Sequence, residues 1–356
     1  MEWIRPDVNI NFVGMRFKAF LLSIALIVAG LAVMMMRGGL NLGVDFAGGT
    51  LIQMKFQQPT TPDKIREGLK ELGFGESAVQ QIGGQADNEY LIRTDLTTSE
   101  LSDLSTKIAQ SFAKVYGEGQ ATVRRVEMVG PKIGEDLRQK ALFAIYYSLL
   151  FIAVYISGRF ELKWALSGIM VVVLIAGVLL LQALGVGVVY LIVGAILITL
   201  LLCWVLKLPF ALAAVLALLH DVLITVGAFA LTNKEFTLEI LAALLTIAGY
   251  SLNDTIVVFD RIRENLRKER KRDYTDIINA SINQTLGRTI LTGGTTLLAL
   301  LFLFFLGGTV LHDFAFAMLI GIITGTYSSV FVASPLLIFY EDWTRGKSVQ
   351  EKRKAA

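Results

Sequence analysis

The sequence predicts a polytopic α-helical membrane protein of about eight spans with one extracytoplasmic α+β domain of the ferredoxin-like type. Three observations predict it. Of 356 residues, 54% are hydrophobic and 18% are charged, against roughly 25% charged in soluble domains. Eight apolar runs approach the roughly 20 residues that a helix needs to cross the hydrocarbon of a bilayer. Between the first two runs lies a polar interval, 38–136, in which alternating and amphipathic patterns interleave. A soluble enzyme is excluded, because a water-exposed fold cannot absorb that much apolar surface.

The first run, Ala19 to Met36, is long for a signal peptide and has no A-x-A site before Arg37, so residues 1–37 read as a short tail and a retained anchor. The glycine-rich stretch GVDFAGGT follows (Gly43, Asp45, Phe46, Gly48 and Gly49 being its marked residues). It lacks the GK[ST] ending of a phosphate loop and reads as an elbow joining span to domain. In the interval 38–136, TLIQMKF alternates like a strand, and Thr61-Pro62-Asp63 opens a helix running to Leu72. Short strands at Ala78 to Ile82 and Glu89 to Arg93, a helix from about Ser99 to Tyr116 and the strand ATVRRVEMV complete the order βαββαβ. That order is ferredoxin-like, a fold that fixes no activity.

The spans of the bundle, 137–340, are Ala141 to Ile156, Trp164 to Leu184, Gly185 to Leu206, Phe210 to Leu231, Thr237 to Phe259, Thr289 to Leu306 and Phe314 to Tyr340, before a tail at 341–356. The uncharged stretch Trp164 to Leu206 would reach about 65 Å as one helix, twice the hydrocarbon thickness, so a reversal is expected at Gly185-Val186-Gly187. Ile278, Ile282 and Leu286 share a face and suggest a short helix along the membrane surface. Gly321 and Gly325 form a GxxxG that marks close helix packing. The one cysteine, Cys203, sits in an apolar run, reads as a packing residue and supports no disulfide framework.

Net charge is only +3, but its distribution orients the chain. One side collects Arg5, Arg16, Lys18, Arg159, Lys163, Lys207, the run Arg261 to Arg272 and Arg345 to Lys354, whereas the opposite short loops hold only Lys234. By the positive-inside rule both termini are cytoplasmic and 38–136 is outside. The basic run RIRENLRKERKR fits that bias or anionic lipid headgroups, and no nucleic-acid partner is expected.

Ionisable residues inside a membrane are functional candidates by default. His220 and Asp221 lie roughly 15 Å into their span from Phe210. Asp254 and Arg288 lie at matching depth, roughly 25 to 29 Å from the outer surface, on antiparallel spans joined through the cytoplasm. Tyr250, Ser251 and Asp254 share one face; Arg288, Thr292, Thr295 and Thr296 line another, with Asn253 a further candidate beside Asp254. Asp254 and Arg288 can pair if their helices are neighbours, and a polar stripe beside a charge reads as a bundle interior or a wet path. Snorkelling of Arg288 to the interface and a structural hydrogen bond at His220 and Asp221 are the plainer alternatives. Neither a metal-ligand cluster nor a nucleophile constellation is legible; no cofactor is expected.

The elbow GVDFAGGT, the span segment ALLHDVLIT, the stretch GYSLNDTIVVFDRIREN and the segment QTLGRTILTGGTTL resemble, in order and over nearly the whole chain, the signature segments of SecF members of the SecD/SecF protein-export family, within the RND superfamily. The resemblance implies a SecD-like companion, the SecYEG channel and a translocating preprotein as partners, and use of the proton-motive force to assist export across the bacterial inner membrane. It implies that the proton-linked carboxylate and arginine are Asp254 and Arg288. A proton is the expected coupling ion, although a carboxylate in a polar stripe suits sodium too. The family pattern has six spans, so 164–206 is an apparent two-helix insertion; an even number leaves the orientation of later spans intact. An RND-type lipid or drug exporter and a non-catalytic scaffold of the channel remain the competing functions.

Overall fold

A computed structural model describes residues 8–75, 77–82, 88–94, 101–117, 119–161, 164–269 and 271–355. Arg5, Lys163, Arg270 and the expected helix start at Ser99 lie outside the described residues.

The first span is α1 (Arg16–Met36), followed by a one-turn helix α2 (Val44–Ala47) at the elbow. The small domain is β1 (Gly49–Phe56), α3 (Pro62–Leu69), β2 (Ala78–Ile82), β3 (Glu89–Thr94), α4 (Leu101–Tyr116) and β4 (Ala121–Val129). Its sheet has the order β2-β3-β1-β4, and each adjacent pair is antiparallel, which is the ferredoxin-like arrangement expected. Alternation explains its core: Ile52, Met54 and Phe56 of β1 and Tyr90 and Ile92 of β3 point to one face. There they meet Ile65 and Leu69 of α3 and Ile108 and Phe112 of α4. The other face carries Leu51, Leu91, Arg125 and Glu127 and looks toward Glu235, in the loop before α9, and Asp313, near the start of the last span.

The bundle comprises α5 (Pro131–Glu161), α6 (Trp164–Ala183), α7 (Val188–Val205), α8 (Pro209–Thr232), α9 (Leu238–Lys268), α10 (Tyr274–Leu306), α11 (Gly308–Ser328) and α12 (Ser334–Ala355). Among the described residues seven helical segments are long and apolar enough to cross a membrane, α11 and α12 forming one of them, and α7 is a shorter apolar helix. Its 18 residues reach about 27 Å, close to hydrocarbon thickness. The chain reverses between α6 and α7 at Gly185, whose φ of 72° suits glycine.

Three expectations are corrected. The helices α5 and α9 run well beyond the apolar runs that nucleate them, because polar residues continue a helix once packing holds its start. No separate surface helix exists at Ile278, Ile282 and Leu286. These residues belong to α10, which is continuous from a cap in which Asp273 accepts from the Thr275 N–H, and Ile278 and Ile282 are buried in the bundle core. The last span starts at Gly308 and passes through a π-turn at Ser329–Ala333 into α12. Pro335 explains the turn, since it has no N–H for the carbonyl four residues earlier and its ring crowds that carbonyl.

Helices α8, α9 and α11 form the centre. Small residues set their spacing: a Cβ on Gly30 of α1 would lie 2.7 Å from Gly227 Cα of α8, and one on Gly325 of α11 would lie 2.8 Å from Ser251 Cβ of α9. A Cβ on Gly321 would overlap Ile247. The expected GxxxG contact is therefore between α11 and α9.

The elbow locks domain to bundle. Asp45 accepts from the Leu238 N–H at the start of α9 (2.9 Å), the Gly43 N–H donates to Phe236 O (2.9 Å), and the Phe236 N–H donates to Asn41 O (2.8 Å). Phe46 is buried against Phe236, their ring centroids 6.0 Å apart. Gly48 and Gly49 take φ of 79° and 119°, and a Cβ on Gly48 would meet Pro131 at 2.9 Å.

Candidate functional site

Helical period places Ile247, Ser251, Asp254, Thr255 and Val258 on the buried face of α9. Asp254, 3% exposed, accepts a long hydrogen bond of 3.4 Å from the Thr326 hydroxyl of α11. Thr292 and Arg288 of α10 stand beside it, Arg288 near enough to act through its charge. Among the described residues Arg288 forms no ion pair within 4 Å, so acid and base face each other without joining. Its side chain is exposed on α10. Tyr250 ties the two helices together, its hydroxyl donating to Thr292 O (2.9 Å) and to the Thr296 hydroxyl (3.1 Å).

Two candidates are not brought to this site. Asn253 is exposed, rotated about 100° from Asp254 by the helical step. Thr295 is exposed too, and its hydroxyl returns to Leu291 O at 2.9 Å.

A second polar cluster lies next to the first. Asp221, fully buried in α8, accepts from Ser251 of α9 (2.5 Å) and Ser328 of α11 (2.9 Å), and its other oxygen lies 2.9 Å from His220 Nδ1. His220 Nε2 meets the Ser23 hydroxyl of α1 at 2.9 Å, and Ser23 lies 3.2 Å from the Tyr327 hydroxyl, which donates to Ala19 O. Three helices thus meet at one carboxylate, and His220 adds α1 as a fourth. Ser251 belongs to the Asp221 cluster and lies one turn from Asp254; Thr326 touches Asp254 and lies two residues from Ser328. The two clusters share the same stretch of α9 and α11, just before the π-turn.

Ser23, Thr326, Tyr327 and Ser328 were not singled out in the sequence. The polar run Thr324 to Ser329, inside an otherwise apolar span, was the available signal. Of the elbow residues, Gly43, Asp45 and Phe46 contact the loop and helix start at Phe236 to Leu238, whereas Gly48 and Gly49 lead the chain into β1, where Gly49 pairs with Val129 of β4.

Comparison with known proteins agrees with this layout. The family described as "Protein export membrane protein SecD/SecF, C-terminal" matches residues 107–198 and 179–343, two pieces whose overlap falls in α6 and α7. The "SecD/SecF GG Motif" matches residues 36–60, which contain the elbow. The chain is 41% identical over 333 residues to a protein translocase subunit SecF of Desulfurispirillum indicum, covering 92% of this chain and 90% of that protein. It is 39% identical to the SecF of Calditerrivibrio nitroreducens, covering 95% and 96%. The crystal structure of SecDF from Thermus thermophilus, described as a translocon-associated membrane protein, superposes with a TM-score of 0.71 at 33% identity over 95% of this chain. The chain spans 40% of the length of that solved protein.

Proposed function

The chain belongs to the SecD/SecF family of protein-export membrane proteins, and from that premise we propose that it acts as a SecF-type subunit. It works with a SecD-type companion at the SecYEG channel and uses the proton-motive force to assist preprotein translocation. The small domain faces the periplasm, and both ends of the chain lie at the cytoplasmic face of the inner membrane.

The observation that carries this reading is the half-built character of the site at Asp254. One carboxylate is buried with only threonine hydroxyls beside it, Thr326 at 3.4 Å and Thr292, and Arg288, near enough to act through its charge, stands unjoined on an exposed helix face. A charge exposed to hydrocarbon costs at least a few kcal/mol, so this face suits contact with a second membrane subunit.

As a carboxylate, Asp254 attracts Arg288; with a proton bound, that attraction ends. Thr326 transmits the difference to α11, at the turn before Ser329–Ala333, where the widened helix has a weak point for a shift. Moving one charge through the membrane potential is worth about 2.3 kcal/mol per 100 mV, comparable to the few kcal/mol separating two packings. The elbow, hydrogen-bonded to the start of α9, carries such a shift to the small domain.

Vesicles containing channel, companion and this chain test the reading. Asp254→Asn should leave basal translocation intact and remove its stimulation by a proton gradient, and a sodium gradient should not substitute. Full stimulation in the mutant would refute the coupling role and leave a scaffold.

A further inference from the structure

Asp221 sits at the middle of α8, about 17 Å from either end. It is fully buried, and among the described residues its one ionisable contact is His220, with no lysine or arginine within 4 Å. A bare carboxylate at that depth costs at least a few kcal/mol. The hydroxyls of Ser251 and Ser328 solvate it but bring no charge. At this depth the described residues of the helices packed against α8 add one further carboxylate, Asp254 of α9, and otherwise tyrosines; Arg288, beside Asp254, belongs to α10.

The hydrogens along the contacts can be counted. Asp221 Oδ1 lies 2.9 Å from His220 Nδ1, His220 Nε2 lies 2.9 Å from Ser23 Oγ, Ser23 Oγ lies 3.2 Å from the Tyr327 hydroxyl, and that hydroxyl donates to Ala19 O at 2.7 Å. A hydroxyl has one hydrogen to give. Tyr327 gives its own to Ala19 O, so toward Ser23 it accepts and Ser23 donates. Ser23 then has none left for His220, and Nε2 must carry a hydrogen and donate it. The contact between Nδ1 and Oδ1 needs another. Ring and carboxyl together thus hold two hydrogens, whereas a neutral imidazole beside an ionised carboxylate holds one. If Ser23 donated to Nε2 instead, the 3.2 Å contact would be left without a hydrogen and a net negative charge would be sealed inside the bundle.

We propose that His220 and Asp221 form a second proton-binding site, occupied in this packing: the pair carries one proton beyond the neutral ring and is uncharged as a whole. The site is closed. His220 is 5% exposed, Ser23 and Ser251 are buried, Asp221 and Ser328 are fully so, and the Tyr327 ring stacks on the imidazole with centroids 5.9 Å apart. The proton exchanges only when α1 or α11 moves, because Ser23 and Tyr327 close the chain from those helices. The pair fastens α1, α8, α9 and α11 without placing net charge in the membrane. One consequence rests on the coupling role proposed for Asp254: its charge changes with no second bare carboxylate on the neighbouring helix.

The chain has two histidines, which makes nitrogen NMR of the full chain in lipid nanodiscs, labelled with ¹⁵N-histidine, a direct test. His312→Gln assigns the signals by removing one set. From pH of about 6 to about 8.5, a range that brackets an ordinary histidine, His220 Nε2 should stay protonated. The second hydrogen should appear either on Nδ1 or as an infrared band of a protonated carboxyl that Asp221→Asn removes; both satisfy the count. In Asp221→Asn the ring should lose one hydrogen and become neutral. In D₂O the His220 ring hydrogens should exchange several-fold more slowly than those of His312, which is 38% exposed. A neutral ring protonated on Nδ1 alone, with no protonated carboxyl at Asp221, overturns the proposal, as does a ring that keeps two hydrogens in Asp221→Asn or exchanges as fast as His312. The unmutated chain decides the count even where Asp221→Asn does not fold. No gradient or channel enters the measurement, so its outcome is separate from that of the translocation test of Asp254.

Discussion

Asp221 and Asp254 sit on adjacent helices, both buried, yet their surroundings divide their roles. Asp221 takes short hydrogen bonds from Ser251 and Ser328 and lies against His220, whereas Asp254 has a long bond from Thr326 and Thr292 beside it. A saturated buried carboxylate is a fastener whose removal strands its donors. Asp221→Ala is therefore expected to destabilise the protein by about 3 kcal/mol or more, while Asp254→Asn should unfold near the wild-type temperature. Thermal unfolding in detergent checks this, and equal losses in both variants would contradict the division. Counting residues inward from Phe210 and Thr237 was enough to put both carboxylates within the membrane. Which of them is satisfied was not legible, because the deciding partners are remote: Ser23 lies 197 positions from His220, and Ser328 lies 107 positions from Asp221.

At the scale of elements, the contact between α9 and α11 depends on Gly321 and Gly325. Gly321→Ala puts a methyl group onto Ile247, and overpacking of that kind typically destabilises by about 1–3 kcal/mol. The same displacement moves Thr326 away from Asp254. Gly321→Ala should thus lower the unfolding temperature and weaken gradient-stimulated translocation more than basal translocation; a variant neutral in both measurements would show that the contact is looser than described. The GxxxG spacing announced close packing, but its partner helix could not be read from one strip of sequence. Apolar periodicity at Ile278, Ile282 and Leu286 was misassigned for a related reason. A stripe reports that a face is covered, and bundle core and membrane surface cover it equally well.

Across the whole molecule, the small domain and the bundle meet at a charged junction. Arg93 of β3 pairs with Glu235 at 3.4 Å and also donates to Leu42 O (2.9 Å) and the Asn41 side chain (3.1 Å). Alternation in β1 and β3 foretold the domain's fold and its buried face. It could not foretell that Glu235, in a short loop 142 positions after Arg93, closes the junction, since ion pairs leave no periodic trace. Burial first, and then the Asp313 and Asp45 carboxylates, raise the pKa of Glu235, while Arg93 opposes them. A carboxyl group whose folded pKa is raised binds a proton more tightly when folded. Its contribution to stability is fully present below the ordinary glutamate pKa and is lost as pH rises through the raised value. From that titration alone the slope cannot exceed about 1.4 kcal/mol per pH unit. Subtracting the unfolding profile of Glu235→Gln from that of the wild type, at a series of pH values from about 4 upward, isolates the group from Asp313 and Asp45. The difference should show wild-type stability falling with pH across this window relative to the variant. A flat difference, or one rising with pH, would mean that Arg93 outweighs burial and that the junction tightens on ionisation instead.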